Sequence, residues 1–198
     1  MPRHPSDVEA LRLELAPLES FAKGVGSVCI IFAIYEGAMV AFYGGWTVLI
    51  KLGAISTFWP FSPSATFGIA LAAPVAVAGL EAGRGLRRLH LWSTWALGAY
   101  ALTLFLQFVL FACVDLQRGA PMVALMTVAI GAMPLTPVVA LCRLDLGSIL
   151  SKQYCHVVAD TPYIRVRAKL PLAVKCVMAL LLLTAFGLGW SAQSVIHC

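Results

Sequence analysis

Glu36, in the run Ala33-Ile34-Tyr35-Glu36-Gly37, is a carboxyl group near the middle of a long apolar stretch. An ionised carboxylate surrounded by hydrocarbon is costly, so Glu36 must face other helices, pair, or carry a proton. It could relay a proton, hold a cation or contact a partner. It could equally bond to Gln107, a lone amide in another apolar stretch, and hold two helices together; Gln107 reads as a packing hydrogen bond. Glu81 and Arg84, three residues apart, can pair on one helix face and fix its orientation. Pro134 and Pro137 flank Leu135-Thr136, and each removes a backbone hydrogen bond. Broken helices can build ion or substrate sites at mid-membrane, although a plain kink is the simpler expectation there, as it is at Pro74.

The remaining reactive side chains do not form a signature. Cys29, Cys113, Cys142, Cys155, Cys176 and Cys198 include no CxxC spacing, so small buried apolar roles are expected for them rather than thiol exchange or a disulfide framework. His4, His90, His156 and His197 all lie away from mid-stretch positions, which argues against a haem held by facing imidazoles. Cys155-His156 is two potential ligands, too few for a metal site. The chain contains no GxSxG, HExxH, Walker or GxGxxG pattern. The expectation is a non-enzyme with no catalytic residue, no metal and no cofactor. An enzyme acting on lipid or quinone would need a polar cavity that the residues do not locate.

These residues must be positioned by helices in a membrane. Of 198 residues, 61% are hydrophobic and 12% charged, far from the composition of a soluble domain. Five apolar stretches, at about 24–50, 65–80, 91–114, 120–141 and 170–190, compare with the roughly 20 residues a bilayer crossing needs. The expected fold is an all-α bundle of five transmembrane helices, or four if the prolines break the fourth stretch, with interfacial amphipathic helices. Residues 1–23 form a cytoplasmic amphipathic segment and 24–198 a single transmembrane domain with a cytoplasmic segment at 142–169. In the first segment Ser6 and Glu9 make a capping-box pattern with Asp7 in the first turn. Val8, Leu11, Leu15 and Leu18 recur at helical spacing, while Arg12, Glu14 and Glu19 can face water. Pro17 is expected to end or kink this helix. A second surface helix is expected over 145–158, with Leu146, Ile149, Leu150, Tyr154 and Val157 on one face, ended by Thr161-Pro162. Small residues in the first two stretches (Gly37, Ala41, Gly44 and Gly45; Gly68, Ala72, Ala73, Ala76 and Gly79) predict close packing of those helices on each other or on another subunit.

The cations fix an orientation. Eleven fall on one side of the stretches: Arg3, Arg12, Lys23, Arg84, Arg87, Arg88, Arg143, Lys152, Arg165, Arg167 and Lys169. Only Lys51 and Arg118 fall on the other, and Lys175 can snorkel to the basic side. This asymmetry predicts a cytoplasmic N-terminus and an external C-terminus. Trp46 and Trp190 near outer ends, and Trp92 and Trp95 near an inner one, suit headgroup depth. The loop 51–64 is apolar enough to lie in the outer interface. Arg87, Arg88, Arg165, Arg167 and Lys169 read as contacts to anionic headgroups or to a partner, so the net charge of +5 does not call for nucleic acid. No cleavable signal peptide is evident. The absence of asparagine, with abundant Ala, Gly, Leu, Arg and Val, points to a GC-rich bacterial genome and a cytoplasmic (inner) membrane.

The run Thr161-Pro162-Tyr163-Ile164-Arg165-Val166-Arg167, after a span and a short helix, resembles a segment of small, uncharacterised bacterial multi-span proteins. The resemblance covers about twenty-five residues, implies no activity and carries no functional residue across. The functional expectation is an accessory or regulatory subunit that binds another membrane protein or identical subunits in the lipid bilayer, a toxin-immunity protein being one version. The alternative is a proton- or cation-coupled transporter or channel component using Glu36.

Overall fold

The computed structural model describes residues 5–52 and 63–196, with side chains described except at 5–6, 43, 46–48, 50–51, 63–70 and 189–196. The apolar loop expected at 51–64 falls almost wholly outside that range, as do the rings of Trp46 and Trp190. The described residues are all-α. Six helices follow in order: α1 (Pro5–Lys51), α2 (Pro63–Arg87), α3 (Ser93–Gln117), α4 (Pro121–Cys142), α5 (Lys152–Asp160) and α6 (Leu172–Ile196). Among the described residues three helices are long and apolar enough to cross a membrane: Asp7–Phe42 within α1, then α3 and α4, with a shorter apolar stretch at Leu172–Leu188 in α6. Their outward faces are apolar. Trp95 is 84% exposed and Phe186 71%, and Leu102, Phe105 and Leu183 also point outward. An apolar surface on this scale is stable in hydrocarbon and prone to association in water.

Consecutive long helices pack side by side. α1 lies on α2, α2 on α3, α3 on α4 and α4 on α6, while α1 also touches α4 and α5. The α1–α2 contact is as close as backbones allow. A Cβ placed on Gly83 would stand 2.5 Å from the Gly26 carbonyl oxygen, and one on Gly26 would stand 2.8 Å from the Gly83 oxygen. The small-residue pairing predicted for these helices is therefore present, but its closest point is Gly26–Gly83, nearer the basic end than the residues singled out from sequence. Gly44 and Gly45 would meet nothing within 4 Å.

Four expectations need correction. Pro17 does not end a helix: α1 runs through it from Pro5 to Lys51, so the amphipathic segment and the first span are one rod. The ring removes a single hydrogen bond, from its own missing N–H to the Leu13 carbonyl, and packing on both sides of it outweighs that loss. Leu15, Leu18 and Phe21 all belong to or pack against the core. The surface helix does not begin at 145. The Asp145 carboxylate accepts from the Gly147 N–H at 3.1 Å, and Ser148 Oγ donates to the Asp145 carbonyl at 2.9 Å. These local bonds hold residues 146–149 in turns. The helix starts only at Lys152, capped by Ser151 Oγ accepting from the Tyr154 N–H at 3.1 Å. It ends at Asp160, before Thr161-Pro162, as the sequence implies. The cysteines are not small buried side chains as a set: Cys29 is buried, but Cys113, Cys142, Cys155 and Cys176 are exposed. α4 is continuous through Pro134 and Pro137, both buried, in line with the simpler of the two readings given for them. Finally, Arg12 and Glu19 do not face water; their exposures are 3% and 0%.

Candidate functional site

Two buried polar clusters stand out, one at the basic end of the bundle and one among the apolar helices. The first is built on α1. Arg12, Glu19 and Lys23 lie at i, i+7 and i+11, a single stripe of a 3.6-residue helix. Glu19 is its centre. Its Oε1 is 2.5 Å from Lys23 Nζ and 3.8 Å from Arg12 Nη2, and its Oε2 accepts from the Tyr154 hydroxyl at 2.8 Å. Arg12 Nη1 donates to the carbonyl oxygens of Val158 (3.1 Å) and Thr161, and to Thr161 Oγ1 at 2.5 Å. A buried charge is tolerated only when paired and hydrogen-bonded; here the ion pairs lie within α1 and the further hydrogen bonds come from a segment more than 130 residues away. Burial, and then its bond to the Glu19 carboxylate, hold the Tyr154 phenol well above its ordinary range.

The same segment is tied to α1 further along. Ser20 Oγ donates to the Arg167 carbonyl at 2.7 Å, and the Lys169 N–H donates to the Ser20 carbonyl at 3.0 Å. Tyr163 donates its hydroxyl to Glu9. Gly24 admits this strap: a Cβ there would stand 2.5 Å from the Lys169 oxygen. The apolar face read for 145–158 is real in its inner residues, since Ile149, Leu150, Tyr154 and Val157 are all buried in the core cluster. What that face covers includes the N-terminal half of α1.

The second cluster contains Glu36 and Gln107. Both are buried, on α1 and α3, and Gln107 Nε2 donates to Glu36 Oε2 at 3.0 Å. Tyr100, two turns earlier on α3, is within electrostatic reach of Glu36 and Cys29. Its hydroxyl and Gln107 Oε1 are buried without a hydrogen-bond partner among the described residues. Tyr100 and Cys29 were not singled out from the sequence. Both are residue types common in any apolar core, and only the interaction of Tyr100 with Glu36 and with Cys29 gives them interest.

The other candidates are spread apart. Glu81 and Arg84 pair at 3.3 Å on the exposed end of α2. Arg87 and Arg88 are exposed at the turn into α3. Arg165, Arg167 and Lys169 are exposed on the strap, and none of the three joins an ion pair among the described residues. Pro74 is exposed within α2. Near the opposite end of the bundle, Thr127 donates to Asp115 at 3.1 Å and links α4 to α3. No group of three or more His, Cys, Asp or Glu that could hold a metal occurs among the described residues. No protein-family model matches the chain, and no curated protein or solved structure matches it.

Proposed function

We propose that this chain is a five-span protein of a bacterial inner membrane, N-terminus cytoplasmic and C-terminus external, that works by binding rather than catalysis. It acts as an accessory or regulatory subunit docked on another membrane protein or on its own copies, immunity to a toxin being one form of that role. The observation that supports this reading is the fixing of α5 to α1 through Arg12, Glu19, Lys23 and Tyr154. Holding a nine-residue helix by buried charges presents its outer side, Lys152, Gln153, Cys155, His156 and Asp160, as a preorganised surface. Preorganisation lowers the ordering cost of association. The test is chemical cross-linking in native membranes, followed by gentle solubilisation and mass spectrometry. A stoichiometric partner or second copy is expected, cross-linked through α5 and lost in the Lys152→Glu/His156→Glu variant. Absence of any cross-link to α5, with a homogeneous single chain in detergent, overturns it.

A second reading is favoured by one observation. Tyr100 Oη and Gln107 Oε1 stand unpartnered in the cluster that holds Glu36. Each unpaired buried group costs about 1–3 kcal/mol, and unsatisfied polar atoms of this kind recur at functional sites. Under this reading Glu36 relays a proton or cation. Proteoliposomes carrying the wild type would then conduct, and those carrying Glu36→Gln would not.

A further inference from the structure

The geometry points to a binding site for one anionic phospholipid in the groove between α1 and the strap 164–171. The groove has a volume of about 700 Å³, within the range of roughly 300–1,000 Å³ typical of small-molecule sites. Its floor is apolar, with Leu13, Phe21 and Leu170 among its lining residues, and its other wall carries Arg165, Arg167 and Lys169. No acidic residue lines it. Between Thr161-Pro162 and α6 the strap forms neither helix nor strand. Arg165, Arg167 and Lys169 stand two residues apart along it, all three exposed and all three lining the groove. The strap backbone is held by its bonds to Ser20, so the row is rigid while its side chains remain exposed. An apolar trough edged by three uncompensated cations, at the foot of helices long enough to cross a bilayer, is complementary to an acyl chain joined to a phosphate. Basic pockets beside transmembrane helices on the cytoplasmic side take anionic headgroups for this reason. The site stands apart from the outer face of α5 and does not depend on a protein partner.

The full-length protein, delipidated in a mild detergent, would be titrated with phosphatidylglycerol and with phosphatidylcholine and read by native mass spectrometry. A single saturable phosphatidylglycerol adduct is expected, with phosphatidylcholine binding much more weakly. The variant R165Q/R167Q/K169Q should lose about a hundredfold in affinity, the product of the roughly fivefold that each cation near an anionic surface contributes. Ala16→Phe, which fills the groove and leaves every cation in place, should also lose the adduct. Circular dichroism and the melting temperature serve as the folding check for both variants, and Ala10→Phe, outside the groove, provides a second control that should bind normally. Equal binding of the two lipids overturns the proposal. So does retention of the adduct in Ala16→Phe, which would make the row a diffuse electrostatic surface. Displacement of the lipid by millimolar inorganic phosphate would overturn it too, by assigning the cations to free phosphate.

Discussion

Arg12 is the side chain on which the basic end of the molecule depends most. It is buried beside Glu19 and gives its guanidinium to backbone carbonyls at the end of α5. Removing it leaves Glu19 paired with Lys23 but strips the buried oxygens of Val158 and Thr161 of their donor, and a buried acceptor left unpaired costs about 1–3 kcal/mol. Arg12→Met should therefore lower the melting temperature in detergent sharply, and protease cleavage between residues 143 and 169 should accelerate. Tyr154 gives the network a pH limit. Its folded-state proton affinity is raised by burial and by Glu19, so the folded protein keeps a proton that the unfolded chain releases near pH 10. Its stabilisation is complete below that pH and is lost as pH rises beyond it. The melting temperature of the wild type should fall more steeply above pH 10 than that of Tyr154→Phe. Below pH 10 the variant should be less stable by about 1–3 kcal/mol, since Glu19 loses a donor in a dry site. Among the apolar helices, Glu36→Leu strands Gln107 and should cost about 0.5–2 kcal/mol, the scale of interhelical hydrogen bonds in membranes. Glu36→Gln can keep the bond and should melt close to the wild type.

Between elements, the contact that tolerates least is the α1–α2 crossing. Gly83→Ala puts its new methyl 2.5 Å from the Gly26 carbonyl and from Ile30 Cγ1, and backbone cannot yield as a flexible side chain can. Overpacking of this kind costs about 1–3 kcal/mol. Gly98→Ala is the matched control: nothing lies within 4 Å of its added Cβ, and a helix interior gains up to about 1 kcal/mol from the exchange. Opposite shifts in melting temperature are expected, and equal shifts would refute the close crossing. The turn from α2 into α3 has its own signature. Leu89 holds a left-handed φ of 57°, where glycine is usual after a helix. Its side chain is 3% exposed and belongs to the core, so hydrophobic burial outweighs a backbone strain of about 1–2 kcal/mol. The His90 N–H closes the helix end by donating to the Gly85 carbonyl at 2.9 Å.

For the whole molecule the informative measurement is sidedness. With other cysteines replaced, a membrane-impermeant thiol reagent added to intact cells should label Arg118→Cys, in the α3–α4 turn, and not Cys155 on α5. Breaking the membrane should expose Cys155. The reverse pattern would invert the proposed orientation, and labelling of both in intact cells would mean that α4, the one long helix between the two sites, does not cross the bilayer. The fold that this tests was legible in part. Long apolar runs with 3.6-residue spacing have few alternatives to helix, so α1, α3 and α4 follow from composition. The Glu36–Gln107 bond was legible because a carboxyl and an amide isolated in separate apolar helices have few partners other than each other.

Arg12 and Glu19 were not legible, although one signal was available. Together with Lys23 they form a stripe on one face of α1, adjoining apolar Leu15, yet charges on the polar face of an amphipathic helix ordinarily point to water. What buries them comes from Val158, Thr161 and Tyr154, 135 to 149 residues along the chain. Local spacing carries no information about such a partner. By itself the sequence determined helix content, the stretches apolar enough for a membrane and the one-sided distribution of cations, because these depend on composition and short-range periodicity. Only the tertiary structure decided that α1 passes unbroken through Pro17, that Gly26 meets Gly83, and that the strap lies against α1 with its cations outward. Each of these is a balance of packing against a local preference, and packing is settled by residues distant in the chain.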